Sequence, residues 1–270
     1  MSATTASRPT SLRWKSVALP PEHGGWGFLI EPLLLGLLVA PSWAGVSLAL
    51  GVTGASLLRQ PLKIVWQDRR RGHRYARTAL AERFALLYGA LMVVGFLGAV
   101  VQAGVHVVLP FLFAVPLAGV AFFSYAQNRG RDLWPEMAGA SVLALSAFGM
   151  GLAGGKPLGM AAALWLIPLA RNFASILYIR ARIRLDKGQP FTRTPTVLAH
   201  VLGLGMVGAL AALGYAPVLA VVVMGILLVR AVHGLSARRH RVRVQTIGFL
   251  EVFYGLLTVA FTAAGYALGW

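Results

Sequence analysis

The stretch LLRQPLKIVWQDRRRGHRYARTALAE, residues 57–82, decides the fold. It starts inside an apolar run and carries Arg59 and Lys63 through it. It then leaves in a burst of bases around Asp68 and Gly72. A soluble helix would spread its charges along one face. Here they collect where an apolar segment ends, as they do where a helix leaves a bilayer. The rest of the chain repeats this layout. Only 12% of its 270 residues are charged and 57% are hydrophobic, against about 25% charged in a soluble domain. There is no cysteine, which excludes disulfides, thiolate metal sites and a cysteine nucleophile.

Nine apolar segments lie near 24–40, 43–66, 84–103, 105–126, 134–154, 158–179, 196–214, 216–233 and 247–268. Most reach the roughly 20 residues that a helix needs to cross the hydrocarbon. The first is short, and Pro32 is expected to interrupt it. The links PSW, QAGVH, GGKP and GYAP are read as tight turns between antiparallel helices. Gly149, Gly151 and Gly154, and Gly203, Gly205 and Gly208, are read as sites of close helix contact.

The pattern predicts an all-α fold, a polytopic transmembrane helical bundle of about nine helices. It forms one helical domain over residues 20–270 behind a cytoplasmic tail, residues 1–19. All but Lys156 of the 25 basic residues fall in the tail or in segments on one side of such a bundle. Short basic loops resist translocation, so this side is expected in the cytoplasm of a bacterial inner membrane. The N-terminus is then inside and, after an odd number of crossings, the C-terminus outside. The net charge of +17 needs no nucleic acid. The basic face lies against anionic lipid, and membrane lipids are the expected partners, with oligomeric state left open.

Ionisable residues within the hydrocarbon are costly and usually face a partner or a cavity. Glu31, Arg59 and Arg171 qualify, with Glu136 and Glu251 behind them. Glu31 and Arg59 sit at matching depth, roughly 13 Å below the basic edge at 1.5 Å per residue, on consecutive helices. They are expected to form a buried ion pair, either part of a site or purely structural.

Two further polar stretches stand out: LARNFASILYIRARIRLDKGQPFTRTP (169–195) and SYAQNRGRDLWPEMAG (124–139). With residues 57–82 they are expected to converge on a basic cavity facing the cytoplasm. Arg59, Gln60, Lys63, Asn128, Arg171, Asn172, Tyr178 and Arg180 are its candidate ligand-binding residues, because guanidinium forks match phosphate and carboxylate oxygens. Arg69 to Arg71, Arg182, Arg184 and Arg238 to Arg243 are read instead as topology anchors that snorkel to the interface. Glu22, His23, Asp132 and Glu136 are the candidate bases for any reaction. No metal site and no cofactor is predicted; Mg²⁺ stays possible but unsupported, since one acid at a time makes a carboxylate cage hard to build within either basic stretch.

The run EHGGWGFLIEPLLLGLLVAPS, followed by LLRQPLKI, DRRRG and ILYIRARIRL, resembles the YwiC-like family of bacterial membrane proteins, with Gly25 where Ala is usual. That resemblance implies a membrane protein but no activity. The layout is also distantly similar to the UbiA superfamily of intramembrane prenyltransferases. This likeness implies a UbiA-like helix arrangement and an isoprenyl diphosphate ligand. The superfamily's Asp-rich motifs are replaced here by Arg59-Gln60-Pro61-Leu62-Lys63 and Arg171-Asn172-Phe173-Ala174-Ser175, so its Mg²⁺ ligands do not transfer. Three readings follow: a binder of an anionic amphiphile, prenyl diphosphate or phospholipid, extending to a divergent UbiA-like transferase; a transporter; and a non-catalytic accessory protein.

Overall fold

Each apolar segment of the sequence holds one α-helix in a computed structural model that describes residues 14–20 and 25–269, the side chain of Phe113 excepted. The helices are α1 (Trp14–Ala18), α2 (Gly25–Val39), α3 (Trp43–Arg70), α4 (Ala76–Ala103), α5 (Leu109–Ala126), α6 (Leu133–Ala153), α7 (Leu158–Asp186), α8 (Thr194–Ala212), α9 (Val218–Gly234) and α10 (Val244–Leu268), with a 3₁₀ turn at Val105–Val107. Among the described residues there is no strand. α4, α6, α7, α8 and α10 are long and apolar enough to cross a membrane, and α2 and α9 are shorter apolar helices. Prolines 32, 61, 116 and 168 lie inside helices that continue past them. Pro32 therefore does not interrupt α2. A proline removes one ladder bond, and the packing of α2 against α6 and α10 holds the helix together across it.

α3 and α4 form the tightest pair. Gly51, Gly54 and Gly95 allow it: a Cβ on Gly54 would meet Met92 N at 2.6 Å, and one on Gly95 would overlap the Gly51 backbone. Gly149, Gly151, Gly154 and Gly203 also sit against neighbours, but Gly205 and Gly208 face open space. Those two make no close helix contact, because α8 turns them away from its partners. The outer face of α4 shows the bilayer side of the fold. Leu86, Leu97 and Val101 are exposed there, an apolar surface too broad for a water-facing helix.

The helices run on through the basic stretches. α3 passes its apolar run to reach Arg70, and α7 extends to Asp186. Their ends are tied together. Gln67 donates to the Ala126 carbonyl at 2.6 Å, Gln60 to Ser16 O at 2.9 Å, Arg180 to Arg131 O, and Arg182 to His240 O. The basic links after α3, α5, α7 and α9 thus gather at one end of the bundle. Asp68 closes the α3–α4 hairpin there, accepting from Arg77 Nε at 3.1 Å and Thr78 Oγ1 at 2.7 Å.

Two outcomes follow. Gly95→Val forces α3 and α4 apart and lowers the melting midpoint in detergent, at a cost of roughly 1–3 kcal/mol. Gly89→Ala, where a Cβ meets nothing within 4 Å, leaves the midpoint in place. At Asp68 the hydrogen bond from Arg77 holds the carboxyl below the usual carboxylate range. Its folded pKa is below the unfolded one. The stabilisation is therefore full above about pH 4 and lost as pH falls through the folded value. Asp68→Asn melts lower than wild type at pH 7, and pH-dependent melting curves show the gap closing below pH 4.

Candidate functional site

Three buried charges join three helices. α7 supplies Arg171, 3% exposed; α2 supplies Glu31, 4% exposed; α10 supplies Glu251. Arg171 Nη1 lies 3.1 Å from Glu31 Oε2, and Nη2 lies 3.7 Å from Glu251 Oε2. Nη2 also donates to the Glu251 carbonyl, and Nη1 to Asn172 Oδ1 at 3.2 Å. Ser175 donates to Glu251 as well. Arg230, from α9, pairs with the other oxygen of Glu251 and stacks between two rings, 4.1 Å from Tyr178 and 4.7 Å from Tyr254. Two acids and two arginines thus balance in one chain. Gly255 makes room for it: a Cβ there would overlap the Glu31 carboxylate.

The partner of Glu31 is therefore Arg171, where depth in the sequence pointed to Arg59. Matching depth on consecutive helices fails because α3 packs chiefly on α4, while α2 turns Glu31 toward α7 and α10. Arg59 instead sets its guanidinium 4.5 Å from the Tyr125 ring, with Lys63 Nζ 4.2 Å from the same ring. The Tyr125 hydroxyl donates to Gln60 Oε1 at 2.6 Å. Gln60 thereby fixes the ring on which both cations rest.

Arg59 and Tyr125 line a cavity of about 400 Å³ with Arg131, Glu136 and Arg180. Arg180 Nη2 holds Glu136 Oε2 at 2.7 Å. Against this cavity lies an apolar groove of about 230 Å³ between α3, α4, α5 and α6. Arg59, Ala121, Gly139 and Leu143 line both spaces.

The structure thus divides the expected ligand set. Arg59 and Arg180 share this cavity, and Lys63 reaches the Tyr125 ring beside it. Arg171 and Asn172 belong to the buried charge chain. Tyr178 faces a different cavity, beside Arg230. Asn128 sits in the α5–α6 link with a left-handed φ of 62° and lines neither space. Among the candidate bases, Glu136 lines the cavity, and Asp132 pairs with Arg129 at 2.9 Å on the exposed link. Glu22 and His23 lie outside the described residues. No group of three or more His, Asp or Glu among the described residues is placed to hold a metal ion.

The reading of the outer arginines changes too. Arg182 is buried, 4% exposed. It bonds Asp186 and the carbonyls of Gly234 and His240. Arg239 pairs with the same Asp186 at 3.0 Å. These two are internal ties between α7 and the end of α9, not anchors snorkelling to the surface. The Arg182–Asp186 spacing of four residues carried that signal, because such a pair shares a helix face. The pairing of Arg230 with Glu251 had no local signal.

A family model described as YwiC-like protein matches residues 19–153, half of the chain. It covers α2 to α6, and so Glu31, Arg59 and Glu136, but not Arg171, Arg230 or Glu251. No curated protein and no solved structure matches.

Removing one partner from a buried pair strands a charge, at roughly 3–5 kcal/mol. Arg171→Met therefore lowers the melting midpoint sharply. In a double-mutant cycle Glu31→Gln couples to Arg171→Met by roughly 0.5–3 kcal/mol, and it adds independently to Arg59→Gln. Additivity in the first cycle would remove the pair from the account.

Proposed function

This chain belongs to the YwiC-like protein family, and we propose that it binds an anionic amphiphile of the membrane at its basic end. One observation carries the reading. The basic cavity and the apolar groove share Arg59, Ala121, Gly139 and Leu143 as walls, so a headgroup and its chain fit as one continuous ligand. Phosphate or carboxylate oxygens meet the guanidinium groups of Arg59, Arg131 and Arg180. The chain lies between α3, α5 and α6, where it replaces bilayer lipid. Glu136 balances Arg180 until an incoming anion takes its place. A phospholipid and a prenyl diphosphate share this chemistry. For a UbiA-like transfer reaction, Glu136 is the described candidate base within reach of the head.

The same reading sets the bundle across a bacterial inner membrane in nine crossings, α2 to α10, with the basic end and the N-terminus in the cytoplasm. The hydrogen bonds that gather the basic links at one end support it, since such links stay on the cytoplasmic side. The acid–arginine chain around Arg171 favours the transport reading, because intramembrane charges mark ion and substrate paths. Arg171 and Glu31 lie off the wall of the Arg59 cavity, which makes their pair a brace in the binding reading.

The test is lipid retention after purification, read by mass spectrometry. Wild type carries an anionic lipid class. Arg59→Gln with Arg180→Gln loses about tenfold, equivalent to about 1.4 kcal/mol. Gly139→Leu loses a similar amount, because its side chain fills the junction; a Cβ there meets only Ala121 Cβ, at 3.9 Å, and a melting curve in detergent checks that the variant is folded. Arg238→Gln, on the exposed link, keeps the lipid. Equal retention in all four overturns the reading.

A further inference from the structure

α7 has a cavity on each of two faces. Arg180, with Ile179 and Ile183, faces the basic cavity already described. Tyr178 and Arg182, four residues apart and so on one face, look the other way, into a second space of about 400 Å³ between α7, α9 and α10. Three arginines line it: Arg182, Arg230 and Arg239. The acid on its wall is Glu251. Asp186, which balances Arg182 and Arg239, stands behind them, off the lining. The wall therefore carries more positive than negative charge.

The arginines are also held in place. Arg182 is tied to Asp186 and two carbonyls. Arg239 donates to Asp186, and its other contacts are Ser236 O at 3.3 Å and Leu185 O at 3.4 Å. Arg230 is clamped between Tyr178 and Tyr254. Its side chain is 10% exposed, and its Nε has no hydrogen-bond partner among the described residues. Each guanidinium keeps N–H groups beyond the bonds it makes, and a cation fixed in advance loses little freedom when it takes a ligand. His233 and His240 line the same space and are exposed, at its open mouth.

The rest of the wall is apolar and opens sideways. Ile226 and Val229 on α9 and Leu250 on α10 line the cavity and are exposed on the outer surface, Val229 at 70%. A freely soluble anion has no use for that side. A lipid phosphate does: its head meets the arginines while its chain leaves between α9 and α10.

We propose that this space is a second site for an anionic, phosphate-bearing lipid, separate from the cavity at Arg59 and Arg180. It rests on the same membrane placement as the reading above but on none of the same residues. The probe is phosphatidylglycerol with a photoreactive group in its acyl chain. It is reconstituted with the full-length protein in phosphatidylcholine vesicles, irradiated, and mapped by peptide mass spectrometry. Label is expected within 218–234 and 244–268, displaced by excess unlabelled phosphatidylglycerol and unmoved by phosphatidylcholine or inorganic phosphate. Leu250→Trp, which fills the side opening, cuts that label about tenfold and leaves the label between α3 and α6 unchanged. Gly139→Leu does the reverse, so failure of one site is told apart from failure of the other. Should Leu250→Trp not fold, Val229→Trp, on the bilayer side, gives the same loss. Three outcomes overturn the second site: label displaced equally by phosphatidylcholine, label displaced by inorganic phosphate, or label undiminished in a folded Leu250→Trp or Val229→Trp.

Discussion

Arg171 is the group on which the interior depends. A guanidinium at 3% exposure in a largely apolar bundle is tolerable only if anions and carbonyls surround it. Glu31 and Glu251 supply the anions from helices far apart in the sequence. Because each acid sits on its own helix, the pairings set the rotation of α2 and α10 against α7. Gly255 lets the Glu31 carboxylate through, and Arg230 completes the balance from α9. Apolar packing alone would tolerate a helix turned by one residue. A stranded charge does not.

α7 is accordingly both spine and partition. Toward its outer end it packs apolar residues such as Leu164 and Ile167, fully buried. In its middle it holds the charge chain. Toward its basic end it presents Arg180 to one cavity and Arg182 to another. The two arginines are only two residues apart, and helical geometry sends them to different faces. Glu136 and Asp186 then balance them on opposite sides. Basic residues crowded at one end of a membrane bundle would repel one another. Arg180 and Arg182 are instead each held by an acid and by carbonyl oxygens.

The helices were readable from local pattern. The nine apolar segments match α2 to α10 to within a few residues at most ends. The larger offsets are at the basic ends of α3, α4 and α7, where the helices outrun their apolar stretches, and at the start of α5, where a 3₁₀ turn takes the first residues. The same holds for the tight turns and for the concentration of bases at one end. The candidate site was readable in part. Arg59, Arg180 and Glu136 were singled out and line one cavity. Arg171 and Asn172 were singled out for polarity at depth, and the structure places them in the buried charge chain. Arg182 and Arg239 were read as surface anchors because bases near a membrane edge usually are. Their common partner, Asp186, lies on the helix of one and far in sequence from the other.

Period, hydropathy and charge position are properties of neighbouring residues, so the chain alone settles where its helices run and which ends carry the positive charge. Which face of each helix turns inward is a property of residues tens of positions apart. Glu31 and Arg59 share a depth, yet depth says nothing of rotation about the helix axis. Only the packing of α2 on α6 and α10, and of α3 on α4, sends Glu31 to Arg171 and sets Arg59 over the Tyr125 ring. The same packing opened a cavity on each of two faces of α7, because neither space belongs to any one helix.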